Sequence, residues 1–174
     1  MTLGTVDPAL LDCVTGVLKK TYCFATVVRH VGQYPLYAFE PRRNQYLSKK
    51  ILARIAEEKS VDFDKLVAIT EVDLCTPVLS FVFGEAQLAG RAAIVSFNRL
   101  RQEFYHLPSN PELLAERLIK EVIHELGHVY GLFHCDNSGC VMFFSDNILS
   151  VDGKNTDFCL KCARFFDDKR KGDG

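Results

Sequence analysis

The chain has 174 residues, of which 48% are apolar and 25% charged, with a formal net charge of −1. That is the length of one domain with enough apolar surface for a core, so gross disorder is excluded. The near-zero balance also excludes a global field for nucleic acid or acidic membranes.

Asp7 to Lys20 predicts a helix, with Asp7 as N-cap, Pro8 at the first helical position and Leu10, Leu11, Val14, Val17 and Leu18 on one side. Asp7 and Asp12 interrupt any apolar run near the start, and no basic n-region precedes them, so no signal peptide is expected. No run approaches the roughly 18 apolar residues of a membrane helix. A cytoplasmic location with reduced thiols is therefore expected.

Tyr22 to Val31 is β-rich and predicts a buried strand, ended by Gly32 and Pro35. Gln45 to Lys59 predicts a second helix, with Leu47, Ile51, Leu52 and Ile55 on one face. Strands are expected at Leu66 to Thr70, Val78 to Phe83 and Ala92 to Phe97, with a turn or strand extension at Gly84 to Gly90. Pro108 and Pro111 open a long helix to about Tyr130. Beyond it, only Cys159 to Phe166 reads as helical, capped by Thr156 or Asp157 and anchored by Phe158, Phe165 and Phe166. This order predicts an α/β (α+β) fold: a mixed sheet with helices packed against it.

Residues 124–134 read H-E-x-x-H-x-x-G-x-x-H. On a helix, His124 and His128 share one face and can hold one zinc ion. Glu125 lies beside the metal, placed to act as general base towards a zinc-activated water. Gly131 can adopt positive φ, end the helix and let His134 return as third ligand. Three neutral ligands leave a coordination position open, which is a catalytic arrangement. A match at these five positions by chance is on the order of 10⁻⁵, which outweighs a reading as surface or core histidines. Leu114, Leu118, Val122, Leu126 and Val129 form the expected buried stripe, with His124 and His128 on the polar side near Arg117 and Glu121. His30 and His106 match no motif. Arg99 or Arg101 is a candidate for meeting an acidic peptide end.

The seven cysteines cannot all pair with one another. Cys135-x4-Cys140 and Cys159-x2-Cys162 have the spacing of two zinc knuckles, so four thiolates are expected around a second, structural zinc with no open position. Unligated thiols or a disulfide pair are the weaker readings. Cys13, Cys23 and Cys75 are expected in the core. His134 and Cys135 are adjacent yet belong to different sets, so the four-cysteine zinc is expected to help position His134.

The histidine motif followed by a Met-containing turn resembles the metzincin zinc peptidases. The third histidine followed at once by Cys135, then Cys140, Met142, Cys159 and Cys162, is similar to the archaemetzincins. The resemblance implies one peptidase domain over 1–174, with an upper part of about 1–131, a lower part of about 132–166 and a frayed tail at 167–174. It implies a twisted mixed sheet, an active-site helix, a Met-turn at Met142 and a C-terminal helix. It also implies an antiparallel edge strand, placed at Phe81 to Gln87, that binds peptide substrate by β-addition. Some metzincins carry a tyrosine after this methionine to assist the oxyanion; Phe143 and Phe144 stand there instead. The expected activity is peptide hydrolysis by a monomer with two zinc ions. The alternative is a zinc-binding module that holds nucleic acid or protein through the cysteine knuckle. Lys154, Lys161, Arg164, Lys169, Arg170 and Lys171 favour it, but Asp152, Asp157, Asp167, Asp168 and Asp173 are interleaved with them and disfavour nucleic acid.

Overall fold

The computed structural model describes residues 1–58 and 63–172. A four-stranded sheet is built from β1 (Thr2–Leu3), β4 (Leu66–Thr70), β6 (Gly84–Ala86) and β7 (Ala92–Ser96), in the order β1-β4-β7-β6. β1, β4 and β7 run parallel, while β6 pairs antiparallel with β7 and forms the edge. A small second sheet joins β2 (Phe39–Glu40), β3 (Gln45–Leu47) and β5 (Leu74–Cys75).

The two-residue period of the strands divides the core. Ile69 and Val95 face α1 (Pro8–Lys20) and α3 (Pro111–Val129), where Leu10, Leu11, Val14, Leu118, Val122 and Leu126 are buried. Leu66, Ala68, Ala92 and Ile94 face the other way, onto Ile51, Leu52 and Ile55 of α2 (Ser48–Ala56). A third cluster, of Ile123, Tyr130, Leu132, Val141, Met142 and Phe166, joins the end of α3 and the loop after it to α5 (Leu160–Gly172), while Val151 of α4 (Ile148–Gly153) packs in the first cluster. The mixed α/β fold is as expected, and Asp7 caps α1 by accepting from the Ala9 amide.

Several elements differ from expectation for identifiable reasons. Tyr22 to Val31 is not a buried strand. Only Arg29 and Val31 reach a ladder, bonding to Thr2, and an apolar cavity of about 380 Å³ lies between the rest and β4 and α1. Val78 to Phe83 is a curled loop with a single bridge at Val82. Two of its carbonyls are taken by Arg43, whose guanidinium donates to Leu79 (2.7 Å) and Ser80 (2.8 Å) and also to Thr76 just before it (2.7 Å). The second helix starts at Ser48, because Gln45 to Leu47 pair as a strand and the Tyr46 amide donates to Asp73. It ends at Ala56, short of the expected Lys59, which lies outside the described residues.

The last helix runs on to Gly172, past its expected end at Phe166; 173–174 lie outside the described residues. Its first bond is from the Ala163 amide to the Cys159 carbonyl. Phe166 is its buried anchor and Phe165 is exposed. Cys75 is in the core, but Cys13 and Cys23 are exposed. Among the described residues no helix is long and apolar enough to cross a membrane.

Candidate active site and metal centres

α3 carries the first part of the site. Asn110 caps it by accepting from the Leu113 amide, and Pro111 opens its first turn. At the far end Gly131 has φ +90°, and the Gly131 and Leu132 amides donate to the carbonyls of His128 and Gly127. A residue with a Cβ is strained at that φ, so glycine permits the reversal that brings His134 back beside α3.

The three imidazoles converge. His124, His128 and His134 offer nitrogens that all lie within 4.8 Å of one another, and the Nε2 atoms of His124 and His128 are 3.1 Å apart. His124 Nδ1 lies 2.8 Å from the Val141 carbonyl and His128 Nδ1 lies 2.7 Å from that of Leu132. A carbonyl only accepts, so each Nδ1 carries the proton and each Nε2 presents a lone pair inward. Burial, with the nearby Lys154 ammonium, holds His124 well below the usual imidazole range. Burial also lowers His128 and His134. Neutral, pre-oriented imidazoles of this kind fit a zinc ion, whose tetrahedral ligand nitrogens are about 3.3 Å apart.

Glu125 is buried and turned towards the edge strand: the backbone of Gly84 in β6 packs against its carboxylate. Burial first, and then the carboxylates of Glu121 and Glu85, raise its pKa well above the usual carboxylate range. The polar side of α3 is buried as well. Arg117 holds Asp152 through two contacts of 2.6 and 2.7 Å, and Lys154 pairs with Glu121 at 2.8 Å. Lys154 is fully buried, 3.5 Å from His124 Nδ1, so it is not available to a nucleic acid. No local pattern marks Lys154, Glu121 or Gly84, because their partners are distant in sequence.

Met142 is fully buried against Gly127 of α3, one residue before His128. A Cβ on Gly127 would lie 2.3 Å from the Met142 sulfur and 3.3 Å from the Phe158 ring. In an open helix, Gly→Ala stabilises by about 1 kcal/mol. Here the overlap outweighs that gain, and Gly127→Ala is expected to destabilise by about 2 kcal/mol, measured by thermal unfolding.

The four cysteines form a second cluster. The sulfurs of Cys135, Cys140, Cys159 and Cys162 lie within 4.8 Å of one another, with Cys135 and Cys159 at 3.8 Å. Thiolates at the corners of a zinc tetrahedron stand about 3.8 Å apart, so this donor set also fits zinc. The Cys159 amide donates to the Cys140 sulfur (3.2 Å). Chiefly through the Cys162 backbone amide, the Cys159 thiol is lowered to about 7, while burial pushes Cys140 and Cys162 up. The two clusters are mechanically joined. His134 and Cys135 are adjacent, and Val141 donates its amide to Asp157 while its carbonyl holds His124.

Of the other candidates, the expected edge strand is realised over Gly84–Ala86 only. Arg99 is engaged with Asp73 at 2.7 and 2.8 Å and stacked on Phe81 and Phe104, and Arg101 pairs with Glu71. His30 contacts Thr2, and His106 is exposed with φ +60°. Phe144, which the sequence did not mark as a site residue, lies against His134 with ring centroids 4.9 Å apart.

A helix that presents two imidazoles one turn apart, a glycine reversal that returns a third, and an antiparallel edge strand packed on the intervening glutamate define a zinc metallopeptidase. The profile of Peptidase family M54 matches residues 14–168. The archaemetzincin of Methanocaldococcus jannaschii is 44% identical over 167 residues, covering 96% of this chain and 90% of that protein. Among solved structures, the archaemetzincin of Methanopyrus kandleri superposes with a TM-score of 0.80 at 33% identity, covering 98% of this chain and 92% of that one. A zinc-dependent peptidase from Methanocorpusculum labreanum gives 0.85 at 32% identity, covering 95% and 97%. The chain belongs to Peptidase family M54, the archaemetzincins.

Proposed function

We propose that this chain hydrolyses peptide bonds at the three-histidine centre, with Glu125 as general base, and that the four cysteines hold a second, structural zinc. The observation that carries the reading is the convergence of three neutral imidazoles beside a buried glutamate under an edge strand. Zinc bound by His124, His128 and His134 would polarise a carbonyl oxygen and lower the pKa of water.

The chain's own residues supply the rest. The Val141 and Leu132 carbonyls fix the tautomers of His124 and His128. Glu125 takes the proton of the attacking water and delivers it to the leaving amine. Its raised pKa suits a group that must both accept and donate. The outer edge of β6 has no strand partner among the described residues, and its backbone can take an extended peptide as an added strand. Met142 packs against Gly127 and carries no chemistry. The chain works as a monomer in the cytoplasm, as a single domain whose lower part, about 132–166, is held by the cysteine centre.

The test is incubation of the zinc-loaded protein with a mixed peptide library, followed by mass spectrometry of the products. New peptide termini are expected. Their absence from protein carrying two zinc ions per chain would overturn the reading.

A further inference from the structure

We infer that Gly84 is a positioning residue for Glu125: the bare backbone of the edge strand is the wall that sets the carboxylate's place. This rests on the reading of Glu125 as general base.

Side chains alternate along β6. Glu85 turns towards α2, where it accepts from the Ser48 hydroxyl at 2.5 Å. Gly84 therefore faces α3. A Cβ built there would lie 2.6 Å from Glu125 Oε1, 2.7 Å from Cγ and 2.8 Å from Cδ. The backbone at Gly84 does not have the positive φ that demands glycine. It is the close approach that excludes a side chain.

Neither partner can yield cheaply. β6 is pinned by its pairing of Gly84 with Val95 and by the Ser96 amide, which donates to the Phe83 carbonyl at 2.7 Å. Glu125 is 5% exposed, sits on the same helix as two of the imidazoles, and has Glu121 and Glu85 among its charged neighbours. A methyl group at position 84 would therefore displace the carboxylate by roughly 1 Å, while the ligand nitrogens and the outer edge of β6 stay in place.

Gly84→Ala is expected to lower kcat about a hundredfold, leave KM within about threefold, and leave the zinc count unchanged. A second measurement separates the contact from a general packing defect. Gly84→Ala should lower Tm by about 5 °C when Glu125 is present, and by much less in a Glu125→Ala background, where the overlapping atoms are gone. If Gly84→Ala alone fails to fold, recovery of folding in the Gly84→Ala/Glu125→Ala double variant supports the inference, and failure to recover overturns it. A folded Gly84→Ala with wild-type kcat overturns it, as does an equal loss of Tm in both backgrounds. Full activity in Glu125→Ala would instead overturn the general-base reading, so the two failures are distinguishable.

Discussion

Cys159→Ser is expected to lose one zinc ion per chain and to weaken zinc binding at the histidines about ten- to a hundredfold. The cysteine cluster joins the loop after His134 to the start of α5. In a small metal centre the binding free energy is largely folding free energy, so Tm should fall by about 10 °C or more. The effect on the second centre follows from two routes, one through the backbone and one through a hydrogen bond. Cys135 is bonded to His134, and Val141 lies beside Cys140 with its carbonyl on His124. Losing the thiolate tetrahedron frees both. Zinc counting by elemental analysis, with competition against a graded chelator, reads both effects. A histidine centre with unaltered affinity would show that the cysteine cluster does not position His134.

The largest effect on rate is expected at Glu125. Glu125→Ala should lower kcat by about 10³-fold, within the range for loss of a general base, with zinc still bound by the three histidines. Glu125→Gln separates charge from shape. It keeps the size of the side chain but cannot take a proton, so its rate should fall as far. Stability should move the opposite way. Burial and the carboxylates of Glu121 and Glu85 disfavour the ionised form, so a neutral side chain should hold or raise Tm. Single-turnover kinetics on a cleaved peptide and thermal unfolding of the same samples test both statements. A Glu125→Gln variant that keeps wild-type kcat would remove the glutamate from the mechanism.

The site was legible in the sequence to the extent that its donors are local. His124, Glu125, His128, Gly131 and His134 occupy one helix and its exit turn, and each cysteine pair lies within one short segment. The supporting groups were not legible. Lys154 meets Glu121, Gly84 meets Glu125, and Val141 meets His124 across folds of the chain that no spacing rule encodes. The fold shows the same division. Helix α1 was readable from its Asp7 cap, α3 from the prolines that open it, and both from long apolar stripes. Strands β1, β2 and β5 have two residues each, too few to show a period. At Tyr22 to Val31 and Val78 to Phe83, β-forming residues were present without a ladder to join, and in the second segment the Arg43 side chain takes two of the carbonyls a strand would have used.

The central claim is that hydrolysis takes place at the histidine centre and that the cysteine centre is structural. Titrating zinc into metal-free protein while following cleavage of a peptide tests this most directly. Four thiolates should bind the first equivalent and raise Tm without activity, and cleavage should appear only as the second equivalent binds. Full activity at one equivalent, or none at two, would contradict the account.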